Sequence, residues 1–491
     1  GESNIGLKLI RDLLVKKGVD NVVLYPETPI LVTELENDTW KTRYLKELHE
    51  IIQDEENTVL GFSVATDNYQ LALDMANITR QELPKLKIVG GGPHFRRQEI
   101  VKDGTHYFDT VFMALMMKTE NGANIFDAIF YGGADSFIKY VISDGKTDFP
   151  GIYTKNRDTG IGTKGKGKSS MPKVSSIPIR FKKVNDRWGE INLILQDTCP
   201  NMCGYCAIMK HNREIDVQAY ADAVEEVSKE VNAVLIRVRD SCALKRDDLE
   251  PYESFFAELK RRKIRSVKGL YLDPQDFVAE ERYRRRFDFL NRYGVHNLFF
   301  GRDCVDANVA KKIGRNYAYH NGEKCVRRVR TQEDLDNEKE TLTWLIHDLK
   351  SERFNLDFLN MFVSYISTPF ETYESQRIMI DEAEEFHNMT NGKYLITVEF
   401  FTLAPYPGTL VKRRFAHLID NPILFGSHTA HWNNWSYDLG PQVYFMDAIF
   451  EVNRQFKSKE EKLPGYFDAM RKALDDAYEG RLQKKVWHER R

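Results

Sequence analysis

Apolar positions along the chain fall into two series of short hydrophobic runs. Each run is followed by a turn of small or polar residues, and then by segments whose apolar positions lie three and four apart. In the first series the runs are 22–25, 59–64, 87–89 and 128–131. Segment 69–83 has helical spacing and is stopped by Pro84, and an amphipathic segment at 5–15 leads in. Short buried strands alternating with helices predict a parallel α/β sheet over residues 1–153. The turns after the strands are Pro26-Glu27-Thr28, Ala65-Thr66-Asp67-Asn68, Gly90-Gly91-Gly92-Pro93-His94 and Gly132-Gly133-Ala134-Asp135. In an open parallel sheet ligands sit beyond the carboxyl ends of the strands, so four such turns point to a ligand face. Glycines that merely let strand-to-helix turns close are the bland alternative.

The second series has strands expected at 191–196, 233–238, 267–272, 297–300, 360–366 and 396–402. Between them, 216–231 places Val217, Tyr220, Val224, Val227 and Val231 on one helical face behind Asp216 as N-cap. Segment 333–350 repeats the pattern with Leu335, Leu342, Leu345, Ile346 and Leu349. Six β/α units predict a partial (β/α)6 barrel over 191–416, with its chemistry at the strand carboxyl ends. Beyond 417 the alternation stops. Helical segments 443–456 and 466–478 follow an irregular stretch holding His428, His431, Trp432 and Trp435, and together they predict a mainly helical cap over 417–491. Those two His and two Trp can line a pocket or form an aromatic core. Residues 154–190 carry ten Lys and Arg against three Asp and Glu, with interleaved glycines, the composition of a solvated linker.

Composition narrows the classes. With 71 Lys and Arg against 73 Asp and Glu the formal charge is −2, which argues against a dedicated nucleic-acid binder. No run of apolar residues is long enough for a membrane span, and the first ten residues lack a signal-peptide core. Six cysteines in 491 residues are too few for a disulfide framework, so a cytoplasmic chain with reduced thiols is expected.

Three of those cysteines lie within eight residues, in Thr198-Cys199-Pro200-Asn201-Met202-Cys203-Gly204-Tyr205-Cys206. Thiolates that converge in a loop after a strand select zinc or an iron–sulfur cluster. A structural zinc site needs four protein ligands, and here His211 is the nearest nitrogen. A four-iron cluster on three cysteines instead leaves one iron open.

At these residues the chain resembles the cobalamin-binding radical S-adenosylmethionine (SAM) enzymes, whose hallmark is CxxxCxφC with an aromatic φ, here Tyr205. The resemblance implies a [4Fe–4S] cluster on Cys199, Cys203 and Cys206, with SAM chelated to the open iron and cleaved to a 5′-deoxyadenosyl radical. It places Tyr205 near the adenine, Asp240 and Ser241 near the methionyl amine, and Gly301 and Asp303 near the ribose. Both acids are expected at the barrel mouth and not in the core. Arg239-Asp240-Ser241 departs from the usual glycine-rich strand end, and Gly301-Arg302-Asp303-Cys304 from Gly-Ile-Glu-Ser. Cys242 and Cys304 are expected as buried, inert thiols.

Later landmarks extend the resemblance. Thr368-Pro369-Phe370-Glu371-Thr372 is similar to the family's Gly-x-Pro-x-Glu-Thr ending without its glycine, and Pro405-Tyr406-Pro407-Gly408-Thr409 to its Pro-x-Pro-Gly-Thr loop. The first series resembles the Rossmann-like cobalamin-binding domain, through Phe62 to Ala76 and through Val89-Gly90-Gly91-Gly92-Pro93-His94. That likeness implies a corrin held by Thr66, Asp67, Asn68, Gly91, Gly92, Pro93, His94, Gly132 and Gly133. The segment 26–57 is short for this domain, and no Asp-x-His-x-x-Gly offers a lower cobalt ligand.

The activity implied is a methyltransferase for an unactivated carbon or phosphorus centre that uses two SAM. One methylates cobalamin, and the other yields the radical that activates a small-molecule or peptide substrate. An external electron donor such as flavodoxin or ferredoxin is implied too. Oxidation, cyclisation or rearrangement without methyl transfer is the alternative enzyme reading, and a zinc-stabilised binding module the non-enzymatic one. Methylthiotransferases carry a second cysteine trio in the N-terminal domain, whereas no cysteine precedes Cys199 here.

Overall fold

The computed structural model describes residues 10–11, 14–15, 17–19, 21–23, 39–64, 69–92, 95, 114, 117–130, 134–145, 152–154, 179–185, 187–193, 195, 199, 201–206, 216–238, 240, 242–244, 249–321, 324–350, 359–390, 394–405, 409–419, 435–456 and 465–482. Two compact units divide the chain: Gly1–Ser176 with Pro405–Asn434, and Ile177–Ala404 with Trp435–Arg491. Both are mixed α/β with parallel strands. Residues 405–434 thus cluster with the N-terminal unit, and the boundary expected at 416 falls inside that segment.

In the first unit, α1 (Thr39–Ile51), β1 (Val59–Ser63), α2 (Tyr69–Glu82), β2 (Lys87–Gly91), β3 (Ala128–Phe130), α3 (Ala134–Ile142) and β4 (Ile152–Tyr153) follow one another. The strands lie in the order β1-β2-β3-β4, parallel except for the antiparallel pair β3/β4. Trp40, Tyr44 and Leu48 bury one face of α1 against Leu73, Ala76 and Ile88. Buried Arg80 closes the end of α2. It donates to the carbonyls of Asn124, Pro84 and Leu86 and pairs with Asp127 at 2.6 Å. Gly92 has φ +115°, and a Cβ there would lie 2.5 Å from the Val64 carbonyl oxygen. Packing of β1 against this turn therefore demands the glycine.

The second unit is built on a seven-stranded sheet. Its elements are β5 (Ile179–Lys183), β6 (Trp188–Leu193), α4 (Val217–Ser228), β7 (Ala233–Val238), α5 (Glu250–Arg261), β8 (Ser266–Leu272), α6 (Glu280–Tyr293), β9 (Val295–Asp303) and α7 (Ala307–Ile313). A hairpin, β10 (Asn316–Asn321) and β11 (Lys324–Val329), comes next, followed by α8 (Gln332–Lys350), β12 (Leu359–Ser367), α9 (Tyr373–Asn388) and β13 (Tyr394–Thr402). Short α10 (Leu410–Arg414) belongs to the first unit, and α11 (Pro441–Phe456) and α12 (Tyr466–Tyr478) complete the second. The order is β13-β12-β9-β8-β7-β6-β5, with six parallel strands and β5 antiparallel at one edge.

Alternation along these strands sends Ile191, Val234, Ile236, Leu270, Leu298, Val363 and Val398 into one core beneath the helices. The caps are local. Asp216 accepts from the Ala219 amide at 3.0 Å, and Thr372 forms a capping box with Ser375. Two features depart from the expected plan: β5 and the start of β6 occupy the end of the stretch read as linker, and the β10–β11 hairpin interrupts the β/α alternation.

Candidate functional site

The cysteine loop leaves the carboxyl end of β6 and docks on the turn between α7 and β10. Gly204 donates its amide to the Gly314 carbonyl at 2.7 Å, and the Cys206 amide to the Cys203 carbonyl at 3.1 Å. Gly314 closes α7 with φ +66°, a left-handed cap. Asn316 donates its side-chain amide to the Met202 carbonyl at 2.8 Å, and the Cys203 thiol lies 3.6 Å from the Asn316 carbonyl oxygen. Asn201 faces both ways: it donates to Asp273 at 2.7 Å and accepts from the Ala318 amide at 2.9 Å. All three cysteines of the loop are half-buried.

Tyr205 donates its hydroxyl to Asp303 at 2.6 Å, and Arg315 lies 3.2 Å from the same carboxylate oxygen. Arg315 also donates to the Gly301 carbonyl at 2.9 Å. These bonds lock the aromatic residue of the loop to the end of β9, where Asp303 has φ +55°. Burial raises the Tyr205 phenol well above its ordinary value, and the neighbouring Asp303 charge adds to this.

Behind Asp303 a buried ionic network runs through the unit. Glu338 lies 3.1 Å from Arg315 and 3.4 Å from Arg302, and it also pairs with Arg330. Arg302 reaches Glu382 at 2.8 Å, and Arg330 takes both oxygens of Asp273 at 2.7 and 2.6 Å. The position where the family pattern carries Ile is therefore an arginine directed into this network, away from the loop. Asn201, Asp273, Arg315, Asn316, Arg330 and Glu338 are the positioning residues that sequence reasoning missed. Glu338 alone carries a sequence signal, as an acid inside the helix Gln332–Lys350; the others stand in loops or at element ends, where polar residues are ordinary.

Asp240 differs from the mouth residue expected: it is fully buried, and it accepts from the Tyr252 hydroxyl at 2.7 Å. Gly301 and Asp303 are half-buried on β9. Gly91 is half-buried and Gly92 exposed at the end of β2. Thr66, Asp67, Asn68, Pro93, His94, Gly132, Gly133, His211 and Ser241 lie outside the described residues, as do His428, His431 and Trp432. Trp435 is core: it is buried, its indole donates to the Leu403 carbonyl at 2.8 Å, and its ring meets Phe370 edge-on. Cys242 and Cys304 are buried thiols; Cys242 donates to Asp276 at 3.7 Å, and burial pushes Cys304 up to about 12.

Three soft thiol donors on one loop suit zinc or an iron–sulfur cluster. Among the described residues a trio of potential metal ligands within 4.8 Å of one another is Cys242, Asp273 and Asp276. Asp273 in that other trio is already taken by Arg330. Burial pushes the Cys203 thiol up to about 12, while the nearby Arg330 charge acts to lower it and so favours a bound thiolate. Arg315 Nη1 and Arg330 Nε are buried donors with no hydrogen-bond partner among the described residues, which fits an anionic group beside them. For cobalamin the described residues offer Gly91 and Gly92 alone, and packing against Val64 accounts for Gly92.

At the end of β12, Glu371 accepts from the Ser375 hydroxyl at 2.5 Å through one oxygen, and its other oxygen has no hydrogen-bond partner among the described residues. Burial raises its carboxyl from 4.5 to about 7, against the lowering effects of Ser375 and Lys312. An acid raised in this way stabilises the fold fully below its unfolded value and loses that contribution as pH rises through its folded one. Between about pH 4 and about pH 8, the stability of Glu371→Gln relative to the parent should therefore improve by roughly 3 kcal/mol in urea unfolding. A pH-independent difference would contradict this burial.

No protein-family profile matches the chain, and no curated protein sequence matches it. Among solved structures, the apo, selenomethionine-labelled cobalamin-dependent S-adenosylmethionine radical enzyme OxsB aligns with a TM-score of 0.56 at 12% identity. That alignment covers 89% of this chain and 65% of OxsB, so the chain spans slightly under two-thirds of that enzyme's length. Native anSMEcpe with bound AdoMet aligns at 12% identity over 56% of this chain and 64% of that one, with a TM-score of 0.32. The chain thus has the fold of a cobalamin-dependent radical SAM enzyme. Over most of its length the chain is similar to OxsB, and the likeness is one of fold. Among the described residues no helix is long and apolar enough to cross a membrane.

Proposed function

We propose that this chain is a radical SAM enzyme of the cobalamin-binding family, with Cys199, Cys203 and Cys206 as ligands of a [4Fe–4S] cluster. The observation that carries the reading is the three-thiol loop at the carboxyl end of the first of six parallel strands, docked by its backbone on the turn between α7 and β10. The likeness in fold to OxsB supports it. In this reading the six parallel strands form a partial (β/α)6 barrel, the first unit is a Rossmann-like cobalamin domain, and α11 and α12 belong to a C-terminal cap. When bound, the cluster supplies the electron that cleaves SAM.

The chain's own residues position. Asn201, Asn316 and Gly314 fix the loop backbone, and Asp303 with Arg315 fixes the Tyr205 ring where it can pack on adenine. The Arg315 and Arg330 guanidiniums balance the negative charge of ligating thiolates. Gly301 and Asp303 remain the ribose side, and buried Asp240 with Ser241 the methionyl side. The corrin contacts remain Thr66 to Asn68, Gly91 to His94, Gly132 and Gly133. The finer activity is methyl transfer to an unactivated carbon or phosphorus centre of a small molecule or peptide, fed by an external donor such as flavodoxin or ferredoxin in the cytoplasm.

The test is anaerobic reconstitution with iron, sulfide and hydroxocobalamin, followed by visible spectroscopy and assay of 5′-deoxyadenosine from SAM. Cluster absorbance, retained corrinoid and reductant-dependent cleavage are expected. Stoichiometric zinc without iron would overturn the whole reading. Cleavage without retained corrinoid would overturn the cobalamin half alone.

A further inference from the structure

Along the strands of the seven-stranded sheet, residues on one face are buried in the core beneath the helices, and several on the other face are half-buried. On the second face the pairing register aligns side chains into rows across β8, β9, β12 and β13. Tyr271 pairs with Phe299, and Phe299 with Phe362. Their rings form a continuous shelf: Tyr271 and Phe299 stack with centroids 4.7 Å apart, and Phe299 and Phe362 follow at 5.7 Å. All three are only half-buried.

Two residues further toward the strand ends, the next row is Gly301, Ser364 and Glu399. Serine keeps the middle of this row low, while the Asp303 carboxylate lies over Gly301, 3.2 Å from where a Cβ would stand. Beyond it Ile366 pairs with Phe401, which is 47% exposed. Between the ring shelf and the Ile366–Phe401 pair the small Ser364 makes a shallow trough, closed on its Gly301 side by the Asp303 carboxylate. One end lies at Asp303, which holds Tyr205 of the cysteine loop, and the other at Glu399.

The charges on this face are not all matched. Glu190 lies 3.6 Å from Arg237, and Asp303 is paired with Arg315. Glu399 is half-buried and has no hydrogen bond or ion pair among the described residues. A carboxylate with no cation beside it among the described residues can take a charge-assisted hydrogen bond from one. Soluble proteins rarely expose a contiguous aromatic shelf without a ligand for it.

We propose that this trough binds a substrate carrying a protonated amine next to a planar or apolar body. The ammonium is held by Glu399 and the body lies against Phe299 and Phe362, in line with the cysteine loop. The assignment rests on the radical-enzyme reading only in making this ligand the substrate; the binding itself does not depend on the cluster.

The test uses the full chain and three probes that share a phenethyl body: phenethylammonium, 2-phenylethanol and 3-phenylpropionate, titrated by calorimetry. Phenethylammonium should bind best and the carboxylate least. Glu399→Gln should weaken the ammonium probe about tenfold or more while leaving the alcohol unchanged. Phe362→Ala should weaken both by a similar factor, with each variant's fold checked by circular dichroism. No preference for the ammonium in the parent, or an unchanged affinity in Glu399→Gln, would overturn the proposal. SAM cleavage by the parent is measured in parallel. Its absence from the parent would count against the proposed function, whereas charge-selective binding would still stand.

Discussion

Replacing Cys199, Cys203 and Cys206 together with alanine abolishes iron and sulfide binding and reduces SAM cleavage to the uncatalysed background, while the far-ultraviolet circular dichroism stays that of the parent. The fold survives because all three thiols are half-buried on a docked loop and none belongs to the hydrophobic core. The loop's attachments run through its backbone and through Asn201 and Tyr205, which the substitutions leave in place. Cys304→Ala is the opposite case. Its thiol is buried away from solvent, so the variant should keep the parent's iron content and pay for the change in stability. Iron retained by the triple variant, or lost with Cys304, would contradict the assignment.

Glu338→Ala is expected to be the most destabilising single substitution in the second unit. The carboxylate is fully buried and stands among Arg302, Arg315 and Arg330. Removing it leaves three buried guanidiniums sharing Glu382, Asp303 and Asp273, and breaking such a network costs about 3–5 kcal/mol. Urea unfolding of parent and variant checks the figure; a loss below about 1 kcal/mol would mean that the remaining acids suffice. The same variant should load less iron at equal folded concentration. Arg315 and Arg330 hold Asp303 and Asp273, and those acids hold Tyr205 and Asn201 of the cysteine loop. Stability and cluster retention are therefore coupled through four side chains, none of which is a ligand.

Local pattern made much of this legible before any coordinates. The strands at 59–63, 233–238 and 394–402 and the helices at 217–228, 332–350, 441–456 and 466–478 follow from periodicity, because a period of two or 3.6 is set by each segment's own geometry. The spacing of Cys199, Cys203 and Cys206 likewise describes a loop that brings thiols together over a few residues, which short-range geometry suffices to impose. The antiparallel edge β5 was hidden by its basic composition, since an edge strand can carry lysines and arginines on its open side. The β10–β11 hairpin was hidden because Asn316 to Val329 mixes polar and aromatic residues without clean alternation.

What the chain alone determined, then, is the class of element at most positions and the chemistry of one loop. Tertiary structure decided which side chains meet. Tyr205 reaches Asp303 across 98 residues, and Asn316 reaches Met202 across 114. Asp240 and Asp303 both follow predicted strands, yet one is sealed under Tyr252 and the other stands at the loop. Position in a strand sets the direction of a side chain, but burial depends on what distant segments pack over it. Glu399 and the ring shelf of Tyr271, Phe299 and Phe362 come from four strands whose neighbours in space are set by sheet order, and sheet order is a long-range property that no local period encodes.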